Sequence, residues 1–283
     1  MSSKLTFTSR LPVAHAHPPT TRPHIGFGVY LSPEDVCKAS CLTALKHGYR
    51  AIDTAQYYEN EAQVGEAVRE SGIPREEIFI TTKIMTPEGS VEKSYQKCLK
   101  SVEDIGLGYV DLFLIHTPSS GPEGRKEMWQ ALERLLKEGK TKAIGVSNYG
   151  VAHIEEIKTF SDVMPAANQV ELHVQCQQRP ITEYCTANGI NVEAYCPIAR
   201  GKYLDDPTLK QIADSHNVTV AQVLIRWILQ MGFIPYPKSD HADRIKQNAD
   251  LYGFELSEEQ MRILGMMDRG HDGAVVPQKT ECP

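Results

Sequence analysis

Asp53, Tyr58, Lys83 and His116 are the residues whose types and spacing could do chemistry in this chain. Asp53 sits in the short apolar run 51–55, and Tyr58 follows it five residues later. Lys83 ends the run 78–83 directly after two threonines, and His116 ends the run 110–116. If these runs are neighbouring parallel strands, the side chains at their carboxyl ends converge on one spot. A tyrosine with a pKa of about 10 is a slow acid or base at neutral pH. A nearby lysine ammonium favours phenolate and lowers that pKa, and a buried aspartate keeps the lysine charged. Histidine can hydrogen-bond a carbonyl oxygen and stabilise the charge that grows there. Together they suit reduction of a carbonyl by a hydride donor, or alcohol oxidation in reverse. Each residue alone has an ordinary use: aspartate caps a loop, lysine reaches for solvent, histidine satisfies a core. Their joint placement carries the inference. Tyr57 beside Tyr58 leaves the choice of acid open on spacing alone.

The elements that must position this group recur along the whole chain. β-rich runs are expected at 25–30, 51–55, 78–83, 110–116, 143–148, 167–171, 191–195 and 233–237. Helical patterns separate them at 61–71, 90–105, 123–138, 151–160, 181–188, 219–231 and 243–248, with an extra one at 206–216. The first helix is expected to start with Ser32 as N-cap and Pro33 behind it, with Glu34 and Asp35 in the first turn. Eight strands each followed by a helix predict one α/β domain over 1–283, a single (β/α)8 TIM barrel, rather than an open sheet. A doubly wound nucleotide fold would need GxGxxG after its first strand, and Gly26-Phe-Gly28 lacks the third glycine. Residues 1–24 carry Lys4, Arg10 and Arg22 without an acid, yet lack the apolar or amphipathic stretch of a targeting segment. A Pro-rich loop or hairpin is expected there. From Ser257 a last helix and a tail, 257–283, are expected to lie over the barrel mouth.

Composition narrows the class. The 283 residues are 41% hydrophobic and 23% charged, which excludes disordered and collagen-like chains. A net charge of −6 argues against a nucleic-acid surface, so any attraction to phosphate must be local. Seven cysteines without a CxxC pair suit reduced thiols in a cytoplasmic protein better than disulfides or zinc. No run approaches the length of a membrane helix, and no HxH pair ends a strand, so neither a membrane nor a metal partner is expected.

The segment 48–61, GYRAIDTAQYYENE, followed by Val64-Gly65, closely resembles the first signature of the aldo-keto reductase family. The resemblance extends from about Gly26 to Leu264. It implies that Asp53, Tyr58, Lys83 and His116 are the catalytic set, and it assigns the acid to Tyr58 rather than Tyr57. With no glycine-rich loop, a dinucleotide must be held by side chains along the barrel mouth. The resemblance implies that Ser147, Asn148 and Gln169 bond the nicotinamide carboxamide and that Tyr195 stacks on the ring, with Gly28 nearby. Cys196 replaces the more usual serine. In the segment 237–248, PKSDHADRIKQN, Lys238, Ser239 and Arg244 can give donors to a 2′-phosphate, and the resemblance turns Gln247 and Asn248 toward adenine. Gln247 replaces the usual glutamate. NADPH is therefore expected over NADH.

By the same analogy Tyr30, Tyr57, Met85, Thr117 and Ile198 line the substrate pocket. Both tryptophans, Trp129 and Trp227, fall in helices, so the pocket should be roomy and undemanding. Loop 117–125 is short, and only Arg200 or Lys202 could select a carboxylate. The expectation is a monomeric NADPH-dependent reductase of aldehydes and ketones acting on a small-molecule carbonyl. Two rivals are a Schiff-base aldolase using Lys83 and an NADPH-binding regulatory subunit without turnover.

Overall fold

The computed structural model describes residues 5–277. An antiparallel hairpin, β1 (Arg10–Pro12) and β2 (Thr21–Pro23), precedes eight parallel strands. These are β3 (Phe27–Gly28), β4 (Ala51–Asp53), β5 (Phe79–Ile84), β6 (Leu112–Ile115), β7 (Ile144–Ser147), β8 (Ala167–Glu171), β9 (Asn191–Tyr195) and β10 (Ile234–Pro235). They pair in sequence order from β3 to β10. Gly26 N–H to Pro235 O at 3.0 Å and Gly28 N–H to Pro237 O at 3.1 Å join the two ends, closing the (β/α)8 barrel. The end strands are shorter than the runs at 25–30 and 233–237 because Pro235 and Pro237 have no N–H to give a ladder.

The helices are α1 (Glu34–Lys46), α2 (Glu61–Glu70), α3 (Val91–Ile105), α4 (Gly121–Lys137), α5 (Val151–Ile157), α6 (Arg179–Ala187), α7 (Pro207–His216), α8 (Val220–Gln230), α9 (Ala242–Ala249) and α10 (Glu258–Gly265). Their starts follow local chemistry. Ser90, Asp206, Thr219 and Ser257 cap α3, α7, α8 and α10 with side-chain oxygens. Ser32 does not cap α1: Pro33 holds that position, and the Ser32 hydroxyl donates to Asp240 Oδ1 at 2.6 Å. A tertiary carboxylate outcompeted the local role. The barrel loop after β6 is shorter than expected, since α4 already begins at Gly121.

Alternation along the strands separates two cores. Ile52, Ile80, Phe113, Ile144, Val170 and Val192 face outward into the layer shared with the helices. Ala51, Phe79, Leu112, Leu114, Ala143 and Ala167 face inward and pack against Val13 of the hairpin. Those inward residues lie at or near the amino ends of their strands, so the hairpin forms the barrel floor. One step higher the interior turns polar: Asp53, Lys83, Gln169 and Glu193 are all buried.

Candidate active site

Asp53 is the last residue of β4 and Lys83 the penultimate residue of β5, both inward and buried. Lys83 Nζ donates to Asp53 Oδ1 at 2.6 Å, to Thr54 O at 2.8 Å and to the Tyr58 hydroxyl at 3.3 Å. All three ammonium hydrogens are thus committed. Tyr58 stands on a short turn, Gln56–Tyr58, that Asn60 pins: its Oδ1 accepts from Thr54 Oγ1 at 2.7 Å and its Nδ2 donates to Val29 O at 3.0 Å. The Tyr58 ring lies 4.9 Å from Tyr30 and 5.5 Å edge-on from His116, which follows β6 directly. Tyr57 is 58% exposed on the rim. The same turn therefore sends one tyrosine to the lysine and the other outward.

Burial pushes the Tyr58 phenol well above its ordinary pKa, and the neighbouring Asp53 carboxylate adds to the shift. Lys83 does not lower it, contrary to what a lysine beside a tyrosine suggests. The ammonium and Asp53 form a close pair with little net charge, so Lys83 brings a hydrogen bond without a net positive field. Burial likewise raises the Asp53 carboxyl; Lys83 opposes that rise and Glu193 reinforces it. Both Asp53 oxygens accept N–H donors, Oδ1 from Lys83 and Oδ2 from Gln169 at 2.8 Å, the pattern of an ionised carboxylate.

A cavity of about 840 Å³ opens at the carboxyl ends of the strands. Asp53, Tyr57, Tyr58, His116, Tyr30, Met85 and Ile198 line it, as do Gly28, Ser147, Asn148, Gln169, Tyr195, Lys238, Ser239, Arg244, Gln247 and Asn248. Lys83 lies beneath it, behind Tyr58 and Asp53. Thr117 is the exception among the expected pocket residues. His116 takes the inward position after β6, so alternation turns Thr117 aside, and it is buried with Oγ1 3.2 Å from Ser119 Oγ. Arg200 rather than Lys202 reaches the cavity, with its guanidinium 6.0 Å from the Tyr30 ring centroid.

One wall is a polar strip. Ser147 Oγ donates to Gln169 O at 2.7 Å, Asn148 Nδ2 donates to His116 O at 2.9 Å, and Tyr195 donates to Asn148 Oδ1 at 2.8 Å. Gln169 gives its amide hydrogens to Asp53 Oδ2 and Glu193 Oε2, each at 2.8 Å, which leaves its carbonyl as the acceptor toward the cavity. Gly28 also lines the cavity, beside Tyr236 and Lys238, where a Cβ would make only ordinary contact at 3.4 Å from Tyr236 O. At the far end the two basic residues differ. Lys238 is paired with Asp240, which also takes Ser32 and Ser40 at 2.6 and 3.0 Å. Arg244 is exposed and has no hydrogen bond or ion pair among the described residues.

Sequence reasoning missed the tail's anchor. Buried Glu171 accepts Val275 N–H at 2.6 Å and Val276 N–H at 2.8 Å, and both valines line the cavity. The signal was present: Glu171 shares the inward face of β8 with Gln169. The expectation of a tail over the mouth holds through Val276, while 278–283 lie outside the described residues. Cys196, Pro197, Leu204 and Ala221 also line the cavity. Among the described residues no group of three or more potential metal ligands forms, and no helix is long and apolar enough to cross a membrane.

A model of the Aldo/keto reductase family matches residues 25–268, and the chain belongs to that family. Among its relatives, glyoxal reductase of Bacillus subtilis is 42% identical over 275 residues, covering 97% of this chain and 98% of that protein. The 9,11-endoperoxide prostaglandin H2 reductase of Trypanosoma cruzi is 40% identical over 250 residues, 87% of this chain and 88% of that one. A crystal structure of a Bombyx mori aldo-keto reductase in complex with NADP superposes with a TM-score of 0.87 at 29% identity, covering 99% of both chains.

Proposed function

We propose that the protein reduces aldehydes and ketones to alcohols with NADPH, Tyr58 giving the proton to the carbonyl oxygen. The observation that carries this reading is a half-buried phenol, hydrogen-bonded to a Lys83–Asp53 pair and opening onto a cavity with a polar strip beside it. The raised Tyr58 pKa keeps the proton in place at neutral pH, which is the state reduction needs. As the carbonyl oxygen gains charge, Tyr58 releases its proton toward it and Lys83 stabilises the phenolate left behind. His116, edge-on to Tyr58, orients the carbonyl from the other side.

The cofactor reading fits these walls. Tyr195 offers a ring face, Asn148 and Gln169 offer amide groups to a carboxamide, and Arg244 offers a free guanidinium to a 2′-phosphate. Ser239 and Lys238 border the same end, and Gln247 and Asn248 follow on α9. NADPH, when bound, supplies the hydride. The relative named glyoxal reductase makes small dicarbonyl aldehydes the first substrates to try, with Tyr30, Tyr57, Met85 and Ile198 as the pocket walls. The protein is proposed to act as a cytoplasmic monomer.

The Schiff-base alternative has little support. An imine-forming lysine needs a free lone pair, and Lys83 spends all three hydrogens as donors below the cavity. The test is titration of NADPH and NADH by quenching of intrinsic fluorescence, followed by NADPH consumption with glyoxal and a panel of ketones. Tight binding selective for NADPH with turnover is expected. Binding without any turnover favours the regulatory reading, and no binding overturns the proposal.

A further inference from the structure

The barrel floor contains an ion pair that the reductase reading leaves unused. Arg22, on β2 of the hairpin, is fully buried. Its Nη1 donates to Glu193 Oε1 and its Nη2 to the Tyr236 hydroxyl, while its guanidinium carbon lies 4.7 Å from the Phe79 ring centroid. Gly26 permits this, because a Cβ there would lie 2.1 Å from Tyr236 Cε1. Glu193 Oε2 in turn accepts from Gln169 Nε2 at 2.8 Å, and the same nitrogen donates to Asp53 Oδ2 at 2.8 Å. Asp53 holds Lys83, and Lys83 reaches Tyr58. An unbroken line of contacts therefore runs from the hairpin to the phenol.

The geometry points to Arg22 as a positioning residue for carbonyl reduction: it balances Glu193 and so keeps the Gln169–Asp53–Lys83 line in the charge state on which Tyr58 depends. The inference rests on the reductase reading of the site. The charge count gives the reason. Arg22 and Lys83 face Glu193 and Asp53 in the buried interior, two cations against two anions. The groups facing Arg22 are Glu193 from β9, Tyr236 from the barrel seam, Phe79 from β5 and, at longer range, Asp53 from β4. Burial alone would lower the Arg22 pKa, and Glu193 with Tyr236 and Asp53 more than reverse this. Glu193 also acts on Asp53, raising its carboxyl. Without Arg22, one carboxylate is left in excess beside Asp53. That negative charge disfavours phenolate on Tyr58, so the phenol holds its proton to higher pH.

The test follows alcohol oxidation with NADP+ between about pH 7 and 9.5, on the limb below the Tyr58 pKa where kcat/KM rises with pH as the still small phenolate fraction grows. Arg22→Met should move that rise upward by roughly half to one pH unit, and Glu193→Gln should move it downward by a similar amount. The double variant, which removes both charges, should return close to wild type, and Arg22→Lys should lie between Arg22→Met and wild type. NADPH dissociation constants from fluorescence quenching should stay within about twofold in Arg22→Met and Arg22→Lys, since Arg22 does not line the cavity. A merely structural arginine would lower activity or melting temperature without moving the profile in opposite directions. Unmoved profiles in both single variants, or a double variant shifted as far as a single one, overturn the proposal. Should Arg22→Met fail to fold, Glu193→Gln and the double variant decide the matter by the same comparison. Absent wild-type turnover with NADPH overturns both readings, whereas normal wild-type turnover with unmoved profiles overturns the role of Arg22 alone.

Discussion

Replacing Tyr58 by phenylalanine removes one oxygen and keeps the ring that packs 4.9 Å from Tyr30 and 5.5 Å from His116. The structural loss is small. The hydroxyl's bond with Lys83 is long at 3.3 Å, and Lys83 retains Asp53 at 2.6 Å and Thr54 O at 2.8 Å. Stability should fall by no more than about 1 kcal/mol. The chemical loss is large, because positioned proton transfer contributes about 100- to 10,000-fold. That factor corresponds to about 3–5.5 kcal/mol of activation free energy. Tyr57→Phe is the internal control. Its ring is 58% exposed and 6.3 Å from His116, and its hydroxyl makes no hydrogen bond among the described residues. Activity should therefore change by less than about threefold. The assay is NADPH consumption with glyoxal at saturating cofactor, with NADPH binding and melting temperature measured on the same preparations. Tyr58→Phe that keeps more than about a tenth of wild-type kcat/KM would refute the argument. So would parallel loss of NADPH binding, or a loss that appears in Tyr57→Phe instead.

Other outcomes follow from single contacts. Arg244→Met should weaken NADPH by about 10- to 100-fold, the loss of a charge-assisted pair, and NADH by less than about threefold. Lys238→Met should do less than Arg244→Met, because Lys238 is already paired with Asp240; comparing dissociation constants for the two cofactors checks both. Glu171→Gln weakens the two N–H bonds that hold Val275 and Val276, so KM for the carbonyl should rise several-fold with kcat little changed. A proportional fall in kcat alone would contradict a tail-anchoring role. Burial raises the phenols of Tyr49, Tyr58, Tyr195 and Tyr236. Their folded values exceed the unfolded one, so this contribution to stability is complete below about pH 10 and is lost as pH rises further. Melting temperature should fall steeply above about pH 10, and a flat profile there would contradict it.

Much of the fold was legible because strands and helices repeat on different periods. The interior and exterior of the barrel can be read from parity: Ala51 and Asp53 share one face, Ile52 the other. Helix starts at Ser90, Asp206, Thr219 and Ser257 were equally local, each depending on one oxygen and the next turn. Ser32 was not, because Asp240, distant in sequence, claimed its hydroxyl. The end strands came out short for a reason visible in the sequence, namely two prolines that cannot donate.

The amino-acid sequence by itself determined the barrel, the gathering of Asp53, Lys83 and His116 at neighbouring strand ends, and the basic segment at 238–244. These follow from residue type and spacing, which act over a few residues. Only the tertiary structure decided that burial raises the Tyr58 pKa and that Lys238 is paired while Arg244 is free. It also decided that Arg22 enters the barrel floor and that Glu171 ties down the tail. Each of those outcomes depends on desolvation or on a partner far along the chain, and neither has a period or a spacing to be read.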